Sequence, residues 1–255
     1  SELFSETPGR ALGLHGVASQ LAAVAAPGLV TLALAVGDWR TTLQAMAVAA
    51  GVTTVVFTLV ARRTDFPEAG RQDTEFLAAV RAQWRIVLTA VVALGLATMV
   101  WNGVFNFYVT YLATIGVEAT AGRTLLQVVF GAGVPAFYLS GRLADRLPPL
   151  PYLLAILAAF TGCILLLPTV RGFPALVAFS AVLGYVIHSV FPAVDTYLLG
   201  SLPDRHRASA YAAYGAGMML LQAPGSLIVG LLREAGVAFP TIFEWMGVGL
   251  VVVLV

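Results

Sequence analysis

Lysine is absent from these 255 residues, so all 14 basic side chains are Arg. Charge of either sign is scarce. Only 11% of residues are charged, and the formal net charge is +1. A soluble domain carries about 25% charged residues. This shortage excludes a water-soluble globular enzyme and a disordered chain. It also excludes a nucleic-acid binder, because no basic face can be built. Without Lys there is no retinal-type Schiff base. The single cysteine, Cys163, lies inside the apolar run Leu157–Leu167. It excludes an intrachain disulfide and a Cys/His metal spacing. His-Glu-x-x-His, Gly-x-Ser-x-Gly and a phosphate-cradling loop ending in Lys-Ser/Thr are all missing. No catalytic residue, cofactor or metal is expected, and the chain does not read as an enzyme.

What is present is apolar. Hydrophobic residues make up 59% of the chain, and the mean hydropathy is +0.89. They come in long unbroken runs, not in alternating ten-residue strands, so helices fit and a barrel does not. The runs are Ala11–Val36, Thr41–Val60, Ile86–Thr114, Gly122–Leu143, Pro151–Val170, Phe173–Leu199, Ala208–Leu232 and Phe239–Val255. Each of the first seven approaches the ~20 residues needed to cross the hydrocarbon core. The expected fold is all-α, a polytopic membrane protein with eight transmembrane helices. The eighth run is still apolar at Val255, and the chain starts without Met. It reads as a piece of a longer protein.

Arg residues sort by side. Arg10, Arg62, Arg63, Arg71, Arg81, Arg85, Arg142, Arg146, Arg205 and Arg207 fall on one set of loops. Arg40, Arg123, Arg171 and Arg233 fall on the other. The positive-inside rule puts the larger set in the cytoplasm. Residues 1–10 and 61–85 are then cytoplasmic, in a multi-pass protein of the cell membrane. Within 61–85, Phe76, Leu77, Val80 and Trp84 recur at helical spacing. They suit a short amphipathic helix on the membrane face as well as a solvated linker. This stretch divides the chain. Residues 1–60 hold the last two helices of one bundle, and 86–255 hold a six-helix bundle.

An internal repeat supports that division. Arg10-Ala11 is followed by Pro27 within Ala26-Pro27-Gly28, and Arg207-Ala208 by Pro224 within Ala223-Pro224-Gly225. The offset is 197 in both places. Each Arg anchors a helix start, each Pro bends a helix in mid-membrane, and the small neighbours permit close packing.

Gly141-Arg142-Leu143-Ala144-Asp145-Arg146 resembles the loop signature of the major facilitator superfamily. Leu202-Pro203-Asp204-Arg205-His206-Arg207-Ala208 resembles that family's entry into its eleventh helix. Pro8-Gly9-Arg10-Ala11-Leu12-Gly13-Leu14 resembles the entry into the fifth, and Gly37-Asp38-Trp39-Arg40 the turn before the sixth. After Arg146 the chain departs from the signature, with Leu147-Pro148-Pro149 in place of Gly and further basic residues. The resemblance implies helices five to twelve of a twelve-helix transporter fold. Four helices, roughly 110 residues, would lie upstream. It also implies a secondary transporter that moves a small organic solute through the lipid bilayer by alternating access. In antiporters of the family the fifth helix carries a Gly-rich face. Gly13, Ala22, Ala26, Pro27 and Val30 stand there, which leans toward export. The rival reading is a non-transporting receptor or assembly factor that reuses the bundle.

Polar groups inside apolar helices are costly, and so are functional candidates. Tyr185, His188, Pro192 and Asp195 share one face of the sixth span. A mid-membrane imidazole suits proton coupling or an anionic substrate, and equally a neutral hydrogen bond between helices. Asp195, nearer the cytoplasmic end, is expected to pair with Arg142 or Arg205 as a latch. Asp145 and Arg146 belong to the same loop machinery. In the third span, Trp101, Asn102, Phe105 and Asn106 are expected to line a cavity, and Gly103 to loosen the helix. Asn102 and His188 should then face one another. Gln127, Gln20, Tyr214 and Gln222 are further substrate-binding candidates. Tyr108 and Tyr111 read as interfacial aromatics, His15 as interfacial, and Glu244 as an anchor beside Trp245.

Overall fold

The structure, a computed structural model, describes residues 7–64 and 76–254. Regular structure among them is entirely helical. The first two spans form α1 (Pro8–Val36) and α2 (Trp39–Ala61). A short α3 (Phe76–Ala82) leads into α4 (Trp84–Thr114). Then come α5 (Ala119–Ala144), α6 (Pro149–Leu166) with a 3₁₀ turn at Leu167–Thr169, and α7 (Phe173–Ser201). The seventh span is divided into α8 (Asp204–Gln222) and α9 (Gly225–Glu234), and α10 (Phe239–Leu254) follows.

Six of these spans are long and apolar enough to cross a bilayer, and α1 is a seventh when its two halves count as one. The chain is a multi-pass integral membrane protein. The expected eighth crossing is the apolar α10, described over 16 residues, Phe239–Leu254, as far as the described residues run.

Both copies of the repeat break at their proline. α1 bends by 41° between Ala26 and Gly28. The seventh span is interrupted at Ala223 and Pro224. At Pro224 the cause is the proline itself, which has no N–H to donate and whose ring crowds the preceding turn.

α7 is the centre of the packing, touched by α1, α4, α5, α6 and α8. Small residues set the closest crossings. A Cβ added at Gly184 of α7 would overlap the backbone of Val129 in α5. One at Gly225 of α9 would overlap the Met99 carbonyl of α4. Gly9 and Gly13 of α1 lie against Gly141 and the Phe137 carbonyl of α5. Without a hydrophobic drive between helices in lipid, such contact is what holds them together. Hydroxyls add glue. Tyr108 Oη lies 2.7 Å from Ser180 Oγ, and Ser140 Oγ donates to the Ser189 carbonyl at 2.9 Å.

Two expectations are corrected. Tyr108 and Tyr111 are not interfacial: they are 1% and 0% exposed, and Tyr111 donates to the Leu167 carbonyl. A phenol in hydrocarbon is stable once its hydroxyl finds a partner. The amphipathic segment begins as the seven-residue α3. It packs on α8 with Ala79 buried and Phe76 and Leu77 exposed. Residues 65–75 lie outside the described part.

The loops alternate between two ends of the molecule. At one end, Asp145 meets the start of α1, α3 meets α8, and Arg85, Leu150 and Tyr197 line one groove. At the other, Tyr111 meets Leu167 and Phe239. That grouping matches the Arg-rich and Arg-poor loops.

α2 has no buried residue and packs mainly on α1. Its start is built locally. Asp38 accepts from the N–H groups of Arg40 and Thr41, and Thr41 Oγ1 accepts from the Asp38 N–H, a reciprocal capping box.

Candidate functional site

His188 stands at the middle of α7 and is 3% exposed. Its Nδ1 lies 2.7 Å from the Gly184 carbonyl, one turn back. A carbonyl only accepts, so Nδ1 carries the proton and Nε2 is left as an acceptor. Three aromatic rings surround the imidazole. Trp101 of α4 stands edge-on at 6.1 Å between centroids. Phe130 and Phe137 of α5 lie at 5.8 and 6.0 Å. Phe105 extends the cluster, edge-on to Phe130 at 5.5 Å.

α1 closes the cluster from the other side. A Cβ at Gly16 would overlap the Phe137 ring, so only glycine leaves room for it. Gln20, one turn on, packs its amide against Gly133. Its Oε1 is buried and makes no hydrogen bond with the protein. Trp101, Phe130, Gly133, His188 and Gln20 each sit near the middle of their helices. The structure therefore gathers one imidazole, one unpaired amide oxygen and four aromatic rings at mid-membrane depth, with no charged side chain among them.

The expected residues divide. Trp101, Phe105 and His188 come together. Asn102 does not face His188. Its Oδ1 accepts from the Ser226 N–H at 3.2 Å. The physical reason is the break at Pro224, which starts a new helix and frees the first amides of α9; Asn102 supplies one acceptor. Asn106 is exposed and donates to the Asn102 carbonyl within its own helix. Gly103 does not loosen α4, which stays regular there while Gly103 packs against Val229 and Gly225. Gln127 is exposed on α5, and Tyr185 and Gln222 are half-buried. Tyr214 is buried, its hydroxyl directed to Met218 Sδ. Glu244 and Trp245 are exposed together on α10. A groove of about 320 Å³ between α4, α9 and α10 holds none of the expected site residues.

The latch is also corrected. Asp195 pairs with neither Arg142 nor Arg205 but accepts from Tyr211 Oη of α8 at 2.7 Å. Arg142 instead lies over the Tyr138 ring at 4.1 Å, and Arg205 and Arg146 are exposed. Long guanidinium stems reach outward for water, and the shorter phenol fits the helix contact. The loop acid that does join two helices is Asp145. Its Oδ1 accepts from the Gly9 N–H at 2.8 Å and its Oδ2 from the Arg10 N–H at 2.9 Å. A carboxylate at the first turn of α1 satisfies orphan amides and complements the helix dipole.

Gly141–Arg146 thus sits where the end of α5 grips the start of α1. The family profile described as Major Facilitator Superfamily matches residues 1–226. The chain belongs to that superfamily. Among solved structures, the chain is similar to the fucose:proton symporter FucP of E. coli, with a TM-score of 0.63 at 15% identity. The match covers 78% of this chain and 50% of that one, so the chain spans about half the length of that relative. At this identity the likeness is one of fold. No curated protein matches.

Within the superfamily fold, sequence reasoning missed Phe130 and Phe137. A signal was present: Phe130, Gly133 and Phe137 are spaced three and four, one face of α5. Gln20 was singled out, but nothing in the sequence shows that it meets Gly133.

Proposed function

We propose that this chain is part of a secondary transporter that moves a small organic solute by alternating access, coupled to protons. One observation carries the reading. The mid-membrane cluster around His188 is assembled across the contact of α1 with α5 and α7, which joins residues 1–60 to residues 86–255. A solute held there would be exposed to one side or the other as the two parts rock. Membership of the superfamily and the FucP likeness support it. The aromatic walls and neutral polar groups suit an uncharged or weakly charged solute. The small residues Gly13, Ala22 and Ala26 on α1 favour export. The Arg-rich end is taken as cytoplasmic by the positive-inside rule, and the membrane as the cell membrane.

The test is flux. The full-length protein in vesicles, given a panel of labelled neutral organic solutes and an imposed pH gradient, should move at least one of them. His188→Ala should lower that flux about tenfold, the equivalent of one hydrogen bond to the moving solute. Binding without flux across the panel would point to a receptor.

A further inference from the structure

Asp195 lies seven residues beyond His188 on the same face of α7, two turns closer to the Arg-rich end. It is half-buried within a membrane-spanning helix. An ionised carboxylate there is costly unless a cation pairs with it or a proton neutralises it. No described cation does the first. The neighbouring elements can be taken in turn. α8 presents Tyr211, the bonded donor, with Tyr214 ring against ring behind it, and one turn back Arg207, whose guanidinium is engaged with Asp204 and the Leu202 carbonyl. α5 presents Arg142, turned onto Tyr138, and Asp145, engaged with the amides of Gly9 and Arg10. α4 presents Arg85, beside Tyr197 in the groove at that end. α6 presents Tyr152, which donates to Ser140. From α1, Arg10 and His15 line a separate pocket with Thr7. Tyr211 is the one described partner that Asp195 has.

We propose that the Asp195 carboxylate, held by the Tyr211 hydroxyl between α7 and α8, is the proton-binding site of this protein. The proposal rests on the transporter reading above and names the group that carries its coupling ion. His188 is then the solute-side group. Its Nδ1 is committed to Gly184 and its ring is enclosed by three others, whereas Asp195 is half-buried and two turns nearer the end of the span. The step is a protonation: a proton from the aqueous side adds to one carboxylate oxygen, charge −1 becomes 0, and no other bond is broken. Neutralisation removes the charge assistance from the Tyr211 hydrogen bond, which is roughly half its strength. That loosens α8 on α7, and α8 ends at the Pro224 break.

The test is pH-difference infrared spectroscopy on the full-length protein in nanodiscs, with the proton as the probe and no solute. We expect a protonated-carboxyl stretching band that grows as pH falls. It should vanish in Asp195→Asn and persist in His188→Ala. It should shift in frequency in Tyr211→Phe, which loses one hydrogen bond and keeps the acid. If Asp195→Asn does not fold, the Tyr211→Phe shift decides, and an unmoved band overturns the proposal. So does a band retained in Asp195→Asn. Flux separates this from the function it rests on. If the band titrates at Asp195 and no solute moves, the transport reading falls and the proton site stands. If Asp195→Asn still couples solute flux to a pH gradient, the proton site falls and transport stands.

Discussion

Single side chains in this protein act mostly as caps and plugs. Asn102 is an example: an amide in mid-membrane that could have met a solute is spent on the Ser226 N–H. Hydrogen bonds between helices in a membrane are worth about 0.6 kcal/mol on average and up to about 1.7. Asn102→Ala should therefore lower the thermal midpoint of the detergent-solubilised protein modestly, and solute affinity should not change. A large loss of affinity with no thermal shift would return Asn102 to the binding site. Asp38 offers a residue-level pH dependence outside the membrane. Hydrogen bonding, first from the Thr41 backbone N–H, holds its carboxyl below the ordinary value of 3.8. The folded group binds its proton more weakly than the unfolded one, so the cap contributes fully above the ordinary carboxylate range. The contribution is lost as pH falls through the depressed value. Protection of the Arg40 and Thr41 amides, relative to their intrinsic exchange rates, should fall as pH drops through that range, and in Asp38→Ala it should be low at neutral pH as well.

At the scale of helices, glycines separate contact faces from lipid faces. Gly184 has the Val129 backbone where its Cβ would go, and backbone cannot step aside. Gly131 and Gly162 have nothing within 4 Å of theirs. Gly184→Ala should cost about 1–3 kcal/mol through overpacking, while Gly162→Ala should gain up to ~1 kcal/mol of helix propensity. Thermal unfolding of the two variants side by side checks the pair, and equal effects would contradict the packing described. The prolines act at the same scale. Pro27 and Pro224 were legible as a repeat because spacing, flanking residues and side all agree. The repeat does not show how each break is repaired: α9 takes its acceptor from a different helix, at Asn102, and no local pattern announces that.

For the molecule as a whole, the contact of α1 with α5 is decisive. Gly9, Gly13 and Gly141 bring the two backbones together, and Asp145 ties the start of α1 to the end of α5. On the function proposed above, this contact must open at one end as the two parts rock. Asp145→Ala removes both charge-assisted hydrogen bonds. Spin labels on the exposed Leu14 and Leu139 of the full-length protein should then report a broader and longer distance distribution. An unchanged distribution would mean that Asp145 is a passive cap. The same contact places Gln20 beside Gly133, so on the proposed function a variant that opens it should also weaken solute binding.

Composition and run length were enough to determine an all-helical membrane protein and most of its spans, and Arg asymmetry marked one end of it. Each of these is set by the solvent. Hydrocarbon demands about 20 apolar residues per helix and internal hydrogen bonding, and any sequence meeting that demand shows it along the chain. The loop Gly141–Arg146 added the superfamily. Tertiary structure decided which polar groups meet. Asp195 found Tyr211 instead of an Arg, Asn102 turned to α9, Phe130 and Phe137 joined His188, and Gln20 met Gly133. Partners on different helices lie far apart in sequence, as Asn102 and Ser226 are 124 residues apart. Helix rotation and close glycine crossings select them, and neither leaves a periodic trace in the chain.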